Sequence, residues 1–94
     1  MDIAKSNIVK STAGRDRGSY FFVLETEGEF LLLADGKLRK VETPKRKKRR
    51  HVQFVSEETS RAAEKIRSSE KITNSELRRT LAAYREAGNQ NQEG

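Results

Sequence analysis

Up to about residue 56 the apolar residues come in short runs separated by polar, glycine-bearing stretches; beyond it they recur at helical spacing. Residues 8–10 form a short apolar-rich segment, after which Gly14-Arg15-Asp16-Arg17-Gly18 supplies turn chemistry: two glycines that take positive φ cheaply and an aspartate that accepts backbone N–H bonds. Residues 20–24 are aromatic and β-branched, residues 30–34 aliphatic, and the Thr26-Glu27-Gly28 turn between them predicts an antiparallel pair. Asp35-Gly36 predicts a type I′ turn that pairs the second of these runs with a fourth strand over residues 37–42. Pro44 ends that strand, because proline cannot donate to a ladder, and begins a basic loop over residues 44–51. Residues 51–55 read as a fifth strand, with Val52 and Phe54 on one face.

Period-two alternation puts Tyr20, Phe22 and Leu24 on one face and Phe21 and Val23 on the other. Both faces are apolar, so both must be covered. A small barrel covers one with its own interior; the other needs a helix, a partner or a ligand. Residues 57–68 carry only Ala62, Ala63 and Ile66 on their apolar side and predict a marginal helix. Thr73 with Glu76 forms a capping box ahead of an amphipathic helix over residues 75–87, whose stripe is Leu77, Leu81 and Tyr84. That stripe is expected to dock on the outer apolar face, with a protein partner as the alternative occupant. Gly88 is expected to stop the helix and 89–94 to form a disordered end. The division is thus a barrel over 1–56 and a helical tail over 57–88.

Charge sharpens this picture by its position. The chain has 94 residues and a net charge of +6, yet residues 1–36 carry four basic and six acidic residues and residues 57–94 seven of each. Residues 37–56 hold nine basic residues and one acidic one, densest in Lys45-Arg46-Lys47-Lys48-Arg49-Arg50. Six consecutive cations repel one another, and a polyanion that neutralises them explains the run better than a solvated surface does. Nucleic acid is the expected partner.

Other chemistries lack residues. There is no cysteine, which removes disulfides, thiolate metal sites and thiol nucleophiles. His51 is the single imidazole and sits beside arginines, with no second histidine for a metal and no marked nucleophile. No enzyme activity, cofactor or metal is expected. No stretch approaches the roughly 18 apolar residues of a membrane span, and the first ten residues do not form a secretory signal. A cytoplasmic monomer without a membrane partner is the expectation.

The segment 8–24, with its Thr12-Ala13-Gly14-Arg15-Asp16-x-Gly18 stretch, resembles a KOW motif: an apolar strand, a turn with spaced glycines and a second apolar strand. Together with Ala34-Asp35-Gly36-Lys37 and the basic segment before His51, it resembles the eukaryote- and archaeon-type large-subunit ribosomal protein fourteen family, over about residues 3–55, and small bacterial KOW-domain RNA-binding proteins of that group. The resemblance implies an SH3-like barrel of about five strands that binds structured RNA, with ribosomal RNA as the target. It implies that Gly14, Asp16 and Gly18 shape the KOW turn, as Asp35 and Gly36 shape the next one. Lys10, Arg15 and Arg17 of the motif, Lys37, Arg39 and Lys40 beyond the second turn, and Lys45, Arg46, Lys47, Lys48, Arg49, Arg50 and His51 are then the RNA contacts. The long C-terminal extensions of the ribosomal proteins have no counterpart here. An SH3-like adaptor for a protein of the transcription or translation machinery is the alternative function.

Overall fold

The computed structural model describes residues 2–93, and side chains for residues 2–87. Five strands make one antiparallel sheet: β1 (Asn7–Ser11), β2 (Tyr20–Glu27), β3 (Phe30–Ala34), β4 (Lys45–Lys48) and β5 (Val52–Glu57). Their order is β4-β3-β2-β1-β5, and a single 3-10 turn, Arg49–His51, joins the two edge strands. Helices α1 (Arg61–Arg67) and α2 (Asn74–Glu93) follow.

The short connection between the edges forces the sheet to curl. Five flat strands would separate their edges by about 19 Å at about 4.8 Å per spacing. The four peptide steps from Lys48 to Val52 reach at most about 15 Å. Curling encloses an interior in which Val9, Phe21, Val23, Leu31 and Leu33 are buried together with Ile3, and in which Val52 and Phe54 from β5 pack against them. No ladder between β4 and β5 is found among the described residues, so by hydrogen bonding the sheet is open.

The other face of β2 goes to the helices. Phe22 and Ile8 are buried with Ala62, Ala63 and Ile66 of α1 and Leu77 and Leu81 of α2, and Tyr20, Leu24 and Tyr84 lie against the same cluster. The alternation read from residues 20–24 therefore assigns each side chain to its actual layer. Leu77 and Leu81 are completely buried within the chain, which leaves them no surface for a protein partner. Each helix starts on a side-chain cap: Ser60 accepts from Ala63 N, while Thr73 Oγ1 accepts from Glu76 N and the Glu76 carboxylate accepts from Thr73 N.

Three expectations need correction. The fourth strand lies at Lys45–Lys48, not at residues 37–42, and it pairs with β3 in the register Leu31↔Lys47 and Leu33↔Lys45. The hairpin at Asp35-Gly36 loses to local and helical capping. Asp35 Oδ1 accepts from both Lys37 N and Arg39 N at 2.9 Å, and Asn74 Oδ1 at the start of α2 takes the Val41 N–H at 2.8 Å. The N–H groups of Lys37, Arg39 and Val41 thus have acceptors without a strand partner. The basic segment 44–51 is consequently a strand and a 3-10 turn rather than a loop. Finally, α2 continues past Gly88 to Glu93, since a glycine weakens a helix by only about 1 kcal/mol and does not remove a donor.

Candidate nucleic-acid interface

Strand alternation sorts the basic run into two sets. Lys45 and Lys47 turn towards the 14–18 turn, and Arg46 and Lys48 turn outwards over the Phe30 ring. Lys47 is 7% exposed, and its ammonium donates to Asp16 Oδ1 at 2.8 Å and to Ala13 O at 2.7 Å. Lys45 Nζ lies 2.7 Å from Asp16 Oδ2 as an ion contact without hydrogen-bond alignment, and the Ser11 hydroxyl donates to Asp16 Oδ1 at 2.7 Å. Burial pushes the Asp16 carboxyl up, but Lys45, Lys47 and Ser11 outweigh it and hold it well below the usual carboxylate range. Asp16 is thus ionised throughout the neutral range, and its role exceeds the local turn bonding expected from sequence. It fastens the turn to β4.

The turn itself folds as its glycines predict. Gly14 and Gly18 both have positive φ, Gly18 N donates to Ser11 O at 2.8 Å and Arg17 N to Gly14 O at 3.2 Å. Arg15 and Arg17 are left exposed at its tip. The Asp35 loop, with Lys37, Arg39 and Lys40 exposed, lies beside it. Arg15, Phe21, Leu38, Arg39 and Lys45 line one hollow of about 360 Å³ there, so three segments separated in sequence share one concavity. Asp16 and Asp35 line it too, but their carboxylates are occupied, the first by Lys45 and Lys47 and the second by the Lys37 and Arg39 N–H groups.

The far end of β4 is different. The Arg49 guanidinium is consumed by the fold, donating to Gly28 O at 2.6 Å and to Ile3 O at 2.8 Å. Arg50 is exposed beside Lys48 and Arg49, around a second hollow of about 340 Å³ that Glu29 also lines. His51 contributes its carbonyl, which accepts from Thr12 N at 2.9 Å. Arg46 stacks on Phe30 with its guanidinium carbon 3.7 Å from the ring centroid and sits 3.4 Å from Glu27. Lys10 stands apart, over Tyr20 on the helix-bearing face, 5.4 Å from the ring centroid.

The thirteen basic positions read from sequence therefore divide. Lys47 and Arg49 are structural, Lys45 is tied to Asp16, Lys10 lies on another face, and His51, half-buried, is tied to Thr12 through its carbonyl. Arg15, Arg17, Lys37, Arg39, Lys40, Arg46, Lys48 and Arg50 present charge to solvent. Sequence reasoning missed the exposed Leu38 and the Phe30–Arg46 stack. The alternation of a strand over residues 45–48 was the only signal for the second. Among the described residues no group of three acidic or histidine side chains is placed to hold a metal ion, and no helix is long and apolar enough to cross a membrane. No protein-family model matches the chain, and no curated protein matches it either.

Proposed function

We propose that this protein is an RNA-binding module, an SH3-like barrel of the KOW type, whose target is structured RNA of the large ribosomal subunit. The observation that carries the proposal is the convergence of the 14–18 turn, the 35–40 loop and β4 on one hollow that Arg15, Arg39 and Lys45 line, with β4 tied to the turn by Asp16. Eight exposed cations distributed over two loops, β4 and the 3-10 turn suit an extended polyanion better than a single small anion. The five-stranded order and enclosed apolar interior are in keeping with the SH3-like barrel that the KOW resemblance implies. The ribosomal RNA target rests on that resemblance; the charge geometry supports a polyanion. Phosphate contacts of this kind position a protein on A-form RNA by shape rather than by sequence.

The test is co-sedimentation of the tagged chain with large ribosomal subunits at low and high salt, with and without nuclease. It is run beside the variant carrying Arg15→Gln, Arg39→Gln, Arg46→Gln, Lys48→Gln and Arg50→Gln, which removes exposed cations from the hollow, the outer face of β4 and the 3-10 turn together. Nuclease-sensitive sedimentation of the wild type and its loss in the variant, with unchanged thermal unfolding, is the expected result. A chain that stays at the top of the gradient in low salt ends the ribosomal assignment, and equal RNA affinity of the variant ends the RNA one.

A further inference from the structure

The hollow between the turn and the Asp35 loop carries more than charge. At about 360 Å³ it falls at the small end of the range for ligand pockets, about 300–1,000 Å³. Its rim holds Leu38, 82% exposed and the one large apolar side chain so exposed among the described residues. Leu38 is not on a loose end. Asp35 Oδ1 clamps the N–H groups of Lys37 and Arg39 on either side of it, and the Asp35 and Gly36 N–H groups both donate to Arg39 O, so the leucine is displayed at the apex of a closed loop. Arg15 and Arg39 line the same hollow and take part in no ion pair among the described residues.

A ligand that satisfies both parts needs an anionic group next to a flat apolar one. Fully paired A-form RNA presents phosphates and hydroxyls to a protein of this size and has no use for the leucine. A nucleotide whose base has left the helical stack has both. We propose that the hollow receives one unpaired nucleotide of the bound RNA, its base against Leu38 and its phosphate between Arg15 and Arg39. This rests on the RNA-binding reading above and specifies what that site recognises: a bulge, loop or end beside a helix.

The experiment is NMR titration of the methyl- and amide-labelled protein with single-stranded hexa-adenylate RNA and, separately, with the same sugar-phosphate hexamer lacking bases. Ring currents of a stacked base move the Leu38 methyl resonances upfield with hexa-adenylate and leave them in place with the abasic hexamer, while the Lys48 and Arg50 amides respond to both. Leu38→Ser, a surface change, weakens hexa-adenylate binding about fivefold and leaves abasic binding unaltered. If Leu38 responds equally to both probes, the hollow binds only phosphate and the nucleotide assignment is overturned. If Lys48 and Arg50 respond and Leu38 does not, the hollow is not the contact, though RNA binding stands. If neither hexamer nor an RNA hairpin moves any resonance, the RNA reading fails and this proposal with it; Leu38 is then left as a candidate anchor for a protein.

Discussion

Lys47 of β4 and Asp16 of the first turn are joined at 2.8 Å, with side-chain exposures of 7% and 16%. The most buried cation of the basic run is thereby spent on holding the run in place. Lys47→Ala strands the Asp16 carboxylate with only Lys45 and Ser11 and takes the ammonium donor from Ala13 O. Breaking a well-buried pair costs about 3–5 kcal/mol, and the partial exposure of Asp16 brings the expected loss to about 2 kcal/mol in urea unfolding. A loss below about 0.5 kcal/mol, the range of an ordinary surface change, contradicts the role given to the pair.

Acid should unfold the protein through a small number of carboxyls. Asp16 is depressed against its burial by Lys45, Lys47 and Ser11, Glu76 is pushed down to about 2 by Lys65 and then by Thr73, and Glu42 is lowered by Asn74. A depressed carboxyl stabilises above its unfolded pKa and loses that contribution as pH falls through its folded value. Stability is therefore expected to be level from pH 7 to about 5 and to fall from there towards pH 2 and below, given unfolded values of about 4. Asp16→Asn should lower stability at neutral pH and flatten the acid limb; the midpoint of urea unfolding against pH reads both. A variant with the wild-type acid limb removes Asp16 from the account.

Gly36 and Gly18 both have positive φ but differ in their neighbours. A Cβ at Gly36 would lie 2.2 Å from the Asn74 carbonyl oxygen, backbone that cannot move without unseating α2, whereas nothing lies within 4 Å at Gly18. Gly18→Ala should cost only the conformational strain of a left-handed residue, about 1–2 kcal/mol. Gly36→Ala should cost clearly more and weaken the packing of Leu77 on the sheet. Thermal unfolding of the two variants side by side decides, and equal losses contradict the close approach.

Salt should report how many cations meet phosphate. With about six phosphates neutralised, the log-log slope of RNA affinity is about −5 on a duplex, and each exposed cation removed brings it about 0.9 nearer zero. Arg46→Gln, Lys48→Gln and Arg50→Gln together should shift it by about 2.7. A slope unmoved by the three changes places the contact elsewhere.

The two apolar faces of β2, the capping box at Thr73 and Glu76 and the docking of Leu77 were legible because each rests on local spacing. Strand β4 was not. Four consecutive cations show no apolar alternation, and their strand conformation is imposed by pairing with Leu31 and Leu33 and by the Asp16 pair, both remote in sequence. The Asp35-Gly36 signal misled for the converse reason: the turn forms, with Gly36 at positive φ, but the donors after it are claimed by Asp35 itself and by Asn74, thirty-three residues beyond Val41. Charge marked the basic segment as a stretch of sequence, while only the pleat could separate the cations that hold the fold from those that face solvent.

Strand β4 also bears on how copies of this protein treat one another. As an edge strand it offers unpaired backbone groups on which a second sheet could grow. Every residue of it is a lysine or arginine, so a second β4 laid antiparallel along it would set like charges directly opposite one another. At low ionic strength that repulsion keeps the margin from templating aggregation, and concentrated salt is the condition under which the safeguard weakens.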